Sequence, residues 1–166
     1  QAGVPARALT RARIEQMRGG ALVAQEKWAA ADAAFTALDR ALEPEPPSQR
    51  AIMGLEIDWP MSLIASGKSE AALARLQPVL AVKRGILGDG HVDVSEVRGL
   101  IAAALARLKR VAEADAEFAQ SMPTLLERAQ HIGTGPENSR TLRYRFILES
   151  YLGHLADRAT RGDAAA

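Results

Sequence analysis

The stretch Leu87–Phe118, LGDGHVDVSEVRGLIAAALARLKRVAEADAEF, reads as two helices joined by a tight turn. After a glycine-rich loop, Asp93 stands as the N-cap of the first helix, and Glu96 follows three residues later in capping-box spacing. Val97, Ile101, Ala104, Leu105 and Leu108 then fall on one side at helical spacing. The second helix begins almost at once, with Val111, Ala114, Phe118 and Ala119 as its apolar stripe. Ala102, Ala104 and Ala114 are small, so the two helices can approach closely.

The hairpin has echoes upstream. Lys27–Phe35, KWAAADAAF, repeats the turn followed by an alanine and, four residues later, a large ring, and Gly67–Leu76, GKSEAALARL, does the same with leucine for the ring. The matching alanines Ala31, Ala72 and Ala114 are separated by 41 and 42 residues. Three copies at nearly one period predict a helical repeat in which each hairpin buries its apolar face on a neighbour.

These residues resemble a tetratricopeptide repeat of the long, kinesin-light-chain-like form, whose loop reads LG-x-x-H-x-D-V. Here that loop is Leu87-Gly88 through His91, Asp93 and Val94, with Val92 where the family has proline. The large-small-large pattern of the family's first helix is matched by Ile101, Ala102 and Leu105, and the alanine-to-aromatic step of its second by Ala114 and Phe118. Lys109 stands in place of the usual turn glycine. The resemblance implies an all-α fold: antiparallel hairpins stacked as a right-handed α-solenoid of about seven helices in one domain, 1–166. Repeats would span about 6–42, 48–85 and 92–131, with a capping or partial-repeat helix at 138–160.

Composition agrees with helices. Aromatics are only 4% of the 166 residues, too few for a β-sandwich built on β-branched and aromatic residues. The 21 lysines and arginines nearly balance the 20 aspartates and glutamates, and both signs are mixed along the chain, which gives no nucleic-acid footprint. The absence of cysteine excludes disulfides, thiolate catalysis and cysteine-based zinc sites. No apolar run reaches the roughly 18 residues of a membrane span, and the expected compartment is the cytoplasm, with the periplasm open. A chain opening at Gln1 and closing on Asp163-Ala164-Ala165-Ala166 reads as a segment excised from a longer protein, and its Ala, Arg and Gly bias as that of a GC-rich bacterial genome.

Prolines and glycines punctuate the pattern. The first helix runs from about Ala6 to Ala24 with Ile14, Met17, Ala21 and Leu22 inward. Its Gly19-Gly20 pair costs about 1 kcal/mol per glycine relative to alanine, which close packing at a small-residue position would explain. A second helix runs from about Trp28 to Leu42 and ends at the proline-rich 43–48. The third, Ser48–Ala65, contains Trp59-Pro60, read here as a kink in preference to a restart capped by Asp58. The fourth runs to about Arg84 with a bend at Pro78, and the sixth reaches toward His131 across Pro123. Gly133–Pro136 forms the next loop, and a seventh helix runs from Asn138 or Ser139 to about Thr160.

The candidate chemistry is that of a binding surface. His91, His131 and His154 lie in separate segments without metal-ligand spacing, no glycine cluster has phosphate-loop or dinucleotide spacing, and no nucleophile-elbow pattern occurs. No catalytic residue, cofactor or metal is expected. His91 reads as a loop hydrogen-bonding group, Arg140, Arg143 and Arg145 as a solvated face, and Trp28 and Trp59 as packing residues. Helix phase together with the resemblance implies a concave groove lined by Arg13, Gln16, Ile57, Met61, Ile64, Glu96, Ala103 and Arg107. Its partner would be a peptide or protein domain, with neither nucleic acid nor membrane. In bacteria such regions are attached to CHAT proteases, kinases or transcriptional regulators. The rival expectation is self-association or autoinhibitory packing through the terminal helices, a homodimer favoured by Tyr144, Phe146 and Tyr151 if these are exposed.

Overall fold

The structure, a computed structural model, describes residues 4–130, 139–160 and 162. Among them there are eight α-helices and no strand: α1 (Val4–Ala24), α2 (Trp28–Leu42), α3 (Pro47–Met53), α4 (Asp58–Ala65), α5 (Ser69–Leu87), α6 (Val92–Arg107), α7 (Val111–Ala129) and α8 (Ser139–Thr160). The chain divides into two compact units, Gln1–Lys68 and Ser69–Ala166.

In the first unit α1 and α2 form an antiparallel hairpin against which α4 packs. Ala31, Ala34, Phe35, Leu38 and Leu42 are the buried stripe of α2. Gly19 lets the helices close: a Cβ placed there would lie 2.6 Å from Cζ of the fully buried Phe35. The close-packing explanation therefore holds for Gly19, whereas a Cβ on Gly20 would come no nearer than 4.0 Å to Asp58 Oδ2. Ile14, Met17 and Ala21, expected to point inward, are exposed, and Ala12, Gly19 and Val23 face the hairpin instead. Trp59 stacks on Phe35 with ring centroids 5.8 Å apart and donates its indole N–H to Asp32 Oδ1 at 2.8 Å, so its place is in the core.

The expected continuous helix 48–65 is two helices, which raises the count from seven to eight. The chain leaves helical geometry after Met53, and α4 restarts at Asp58, where Pro60 sits in the first turn and needs no intrahelical donor. The Glu56 carboxylate accepts the backbone N–H groups of Asp58 and Trp59, satisfying two donors that have no intrahelical partner at the new helix start. The break thus wins over a kink. Pro78 and Pro123 interrupt neither α5 nor α7. Both prolines are exposed, as are Ala74 and Ala119 four residues before them, so the carbonyls left without a donor face water.

In the second unit α6 is the central element, packed by α5, α7 and α8, with every residue from Val94 to Leu105 buried. Gly99 makes this possible, since a Cβ there would meet Ile147 at 2.7 Å and Leu125 at 3.2 Å. The N-cap of α6 is His91, whose Nδ1 accepts the Asp93 N–H at 3.1 Å. His91 therefore makes the expected loop hydrogen bond, and Asp93 and Glu96 are released from the expected capping box for pairing with α8.

One turn recurs three times. Glu26, Gly67 and Lys109 all have positive φ, of 55°, 79° and 61°. In each case the following residue donates its N–H to the carbonyl five residues back: Lys27 to Leu22 at 2.9 Å, Lys68 to Leu63 at 2.8 Å and Arg110 to Leu105 at 3.0 Å. This is the Schellman closure of a helix. The turns recur with the same spacing as Ala31, Ala72 and Ala114, which are all fully buried. The sequence period is thus also a period of backbone geometry.

Candidate functional site

A cleft of about 320 Å³ lies between the C-terminal half of α6 and the middle of α8. Small residues open it: Ala103 and Ala106 on α6, and Ser150 and Gly153 on α8, where a Cβ at Gly153 would meet nothing within 4 Å. Phe146 adds apolar wall, and Arg107, Lys109, Glu149, His154 and Asp157 supply the charged and polar rim.

Two polar clusters hold α8 in place at either end of the cleft. Toward the start of α8, Glu96, only 1% exposed, accepts a hydrogen bond from Arg143 Nε at 3.0 Å and forms an ion pair with Arg140 Nε at 2.8 Å, and Asp93 pairs with Arg140 at 2.7 Å. A carboxylate this deep is tolerated because two guanidinium groups answer it. Beside it Tyr144 is buried, and burial, with the Glu96 charge behind it, pushes the phenol above its ordinary value. Toward the other end, His154 Nε2 lies 2.7 Å from Asp115 Oδ1 on α7, which also takes Arg158 at 3.0 Å. The Phe118 ring packs on Tyr151 and His154 with centroids 4.9 and 5.5 Å away.

Within the rim, Lys109 and Asp157 pair at 2.8 Å, and more than half of each side chain is exposed, so water screens the contact and it can exchange for a ligand's charges. Arg107 and Glu149 are exposed and have no ion pair among the described residues. The cleft therefore offers one positive and one negative group above an apolar floor. Ser150 donates to the Phe146 carbonyl at 2.8 Å and His154 is turned to Asp115, so the two are committed to different partners. Among the described residues, no three His, Asp or Glu side chains come together to hold a metal ion. No described helix is long and apolar enough to cross a membrane.

Of the groove positions expected from the sequence, the structure brings Ala103 and Arg107 together in this cleft. Arg13 is exposed and Gln16 half-buried on α1. Ile57, Met61 and Ile64 are buried, because α4 restarts at Asp58 and a phase carried from Ser48 does not survive the break. Glu96 is on the expected side of α6, but Arg140 and Arg143 cover it. The arginine cluster is correspondingly not a free solvated face: Arg140 and Arg143 are spent on α6, and Arg145 has a partner of its own. His131 and the loop 133–136 lie outside the described residues.

Phe146, Gly153 and His154 belong to the cleft and were not expected in it. The available signal was Gly153, a glycine inside a long helical pattern with no turn to explain it. The condition set for self-association through the terminal aromatics is not met: Tyr144 is buried, Tyr151 rests on Phe118, and Phe146 is half-buried in the cleft wall. A second hollow of about 240 Å³ is lined by Leu73, Gln77 and Leu80 of α5, Ile101 and Leu105 of α6, and Arg110, Glu113 and Glu117 nearby. Its rim charges Arg110 and Glu113 are already paired at 2.6 Å.

No protein-family model matches the chain, and no curated protein or solved structure matches it either.

Proposed function

We propose that the chain is a non-catalytic protein-interaction module of tetratricopeptide type, which binds an extended or helical peptide in the cleft between α6 and α8. The observation that carries this reading is the cleft's position. It lies between the first helix of one expected hairpin and the helix that opens the next, the side on which the resemblance places a ligand groove, and it contains Ala103 and Arg107. The recurring turn at Glu26, Gly67 and Lys109 supports the repeat on which the resemblance rests. An apolar floor with one free charge of each sign suits a short peptide segment better than a flat protein face. As part of a larger bacterial protein, such a module would dock a substrate or sense a neighbouring domain.

Selection of a phage-displayed random peptide library on the whole chain tests this. Peptides enriched on the wild type should lose binding to Gly153→Leu, which fills the cleft, and should keep it with Gly153→Ala. Enrichment of the same peptides on Gly153→Leu would sink the reading.

A further inference from the structure

The two helices that enclose the cleft run side by side in the same direction. Glu96 and Arg143 meet near their starts, 47 residues apart in sequence, and Lys109 and Asp157 meet near their ends, 48 apart. That nearly constant offset sets Arg107 level with His154. Glu149 lies about five residues nearer the start of α8, a separation of about 8 Å along the helix axes.

The other charges of the rim are answered within the chain. Lys109 pairs with Asp157 at 2.8 Å, and His154 is turned to Asp115, which also takes Arg158. Arg107 on the α6 wall and Glu149 on the α8 wall are exposed and have no ion pair among the described residues. The cleft is therefore negative toward its start and positive toward its end, with the small residues Ala103, Ala106 and Gly153 between the two charges. A ligand of a single sign would set a like charge against one of them, and such a juxtaposition is unfavourable. A ligand carrying both signs answers both.

We infer that the peptide this cleft receives is zwitterionic, an inference that rests on the peptide-binding reading of the site. An apolar side chain lies on the small-residue floor, a basic side chain reaches Glu149 and an acidic one reaches Arg107. The separation of about 8 Å corresponds to two to three residues of extended chain or about five of helical chain, so the two charges flank the apolar residue closely in sequence. Both wall charges are exposed, and water and salt screen each contact. The pair thus selects among segments more than it adds to affinity.

Peptides enriched from the random library on the wild-type chain should share one basic and one acidic residue at that spacing. Isothermal titration calorimetry of one such peptide at low salt reads the two contacts separately. Replacing its acidic residue with lysine should weaken binding to the wild type about tenfold, and Arg107→Glu should restore it. Replacing its basic residue with glutamate should weaken binding by a similar factor, and Glu149→Lys should restore that. The peptide replacements are read on the unaltered chain, so they decide the question even where circular dichroism shows that a variant has not folded. Enriched peptides of one sign, replacements that leave the affinity unchanged, or rescue by the variant of the wrong wall would each overturn the inference. If Gly153→Leu still abolishes binding in those cases, the cleft remains the peptide site and its charge selection alone is lost. Peptides that bind Gly153→Leu as well as the wild type, or no enrichment at all, would overturn both.

Discussion

Adjacent residues can carry opposite consequences, and Gly19 and Gly20 show how. Gly19 faces the Phe35 ring at a distance no Cβ tolerates, and that ring is fixed by its stack on Trp59. Gly19→Ala should therefore destabilise the chain by about 1–3 kcal/mol, the ordinary cost of overpacking. Gly20→Ala, one residue on, meets nothing closer than 4.0 Å and should stabilise it by up to about 1 kcal/mol through helix propensity. Urea denaturation of both variants checks the pair; like signs would mean that the hairpin does not close as described. The sequence showed two glycines in a helix and could not rank them, because the distinction depends on which one faces Phe35. Gly99 was illegible for the same reason: only the approach of Ile147 from α8 reveals its use.

The Glu96 cluster yields a second residue-level test. Glu96→Gln removes the buried carboxylate facing Arg143 and leaves Arg140 with Asp93 alone, and should cost about 1–3 kcal/mol, with faster amide exchange concentrated in the first half of α8. Titration adds signs to this picture. Arg84 first and Arg98 second hold the Asp89 carboxyl below its ordinary 3.8 through hydrogen bonds. Asp89 thus contributes stability that is present above that value and is lost as pH falls through the lower folded value. Because the Asp89 side chain is 62% exposed, water screens these pairs, and Asp89→Asn should flatten the acid limb of a stability-against-pH curve only slightly, as pH falls below 3.8. Tyr144, raised above 10.0 by burial and Glu96, acts in the opposite direction. Its contribution is present below that value and disappears as pH rises through the folded value, so Tyr144→Phe should flatten the alkaline limb.

Elements were the most legible scale. The bounds of α2, read from the sequence as about Trp28 to Leu42, agree with the structure, because a turn and a run of prolines mark the two ends. The long helix 48–65 was misread for an equally physical reason. Proline is expensive in a helix interior but cheap in a first turn, and only the Glu56 side chain capping Asp58 and Trp59 shows which situation applies. The three turns offer a test at this scale. Gly67 has φ of 79° and open space around it, so Gly67→Ala should cost about 1–2 kcal/mol from backbone conformation alone. Glu26→Gly, at the equivalent turn, should gain up to about 1 kcal/mol. If Gly67→Ala is neutral in thermal and urea denaturation, the left-handed turn is not formed there.

At the scale of the whole molecule the all-helical class followed from few aromatics, many alanines and helical spacing, while the position of the cleft did not. Ala103 and Arg107, expected in a groove from helix phase together with the resemblance, line one wall of this cleft, but the opposite wall comes from α8, and no local pattern in 139–160 says which of its faces meets α6. That docking is decided by long-range pairs, Glu96 with Arg140 and Arg143 and Asp115 with His154 and Arg158, which lie 39 to 47 residues apart in sequence. The same distance explains why a glycine at 153 was not recognised as the floor of a site.

The central claim is that the α6–α8 cleft receives a peptide, and amide chemical-shift mapping of the isotopically labelled chain with a library-selected peptide tests it most directly. The account predicts saturable shifts centred on Ala103, Arg107, Ser150, Gly153 and His154, and their loss in Gly153→Leu. Shifts confined to the hollow around Leu73, Gln77 and Glu113, or none at all, would contradict it.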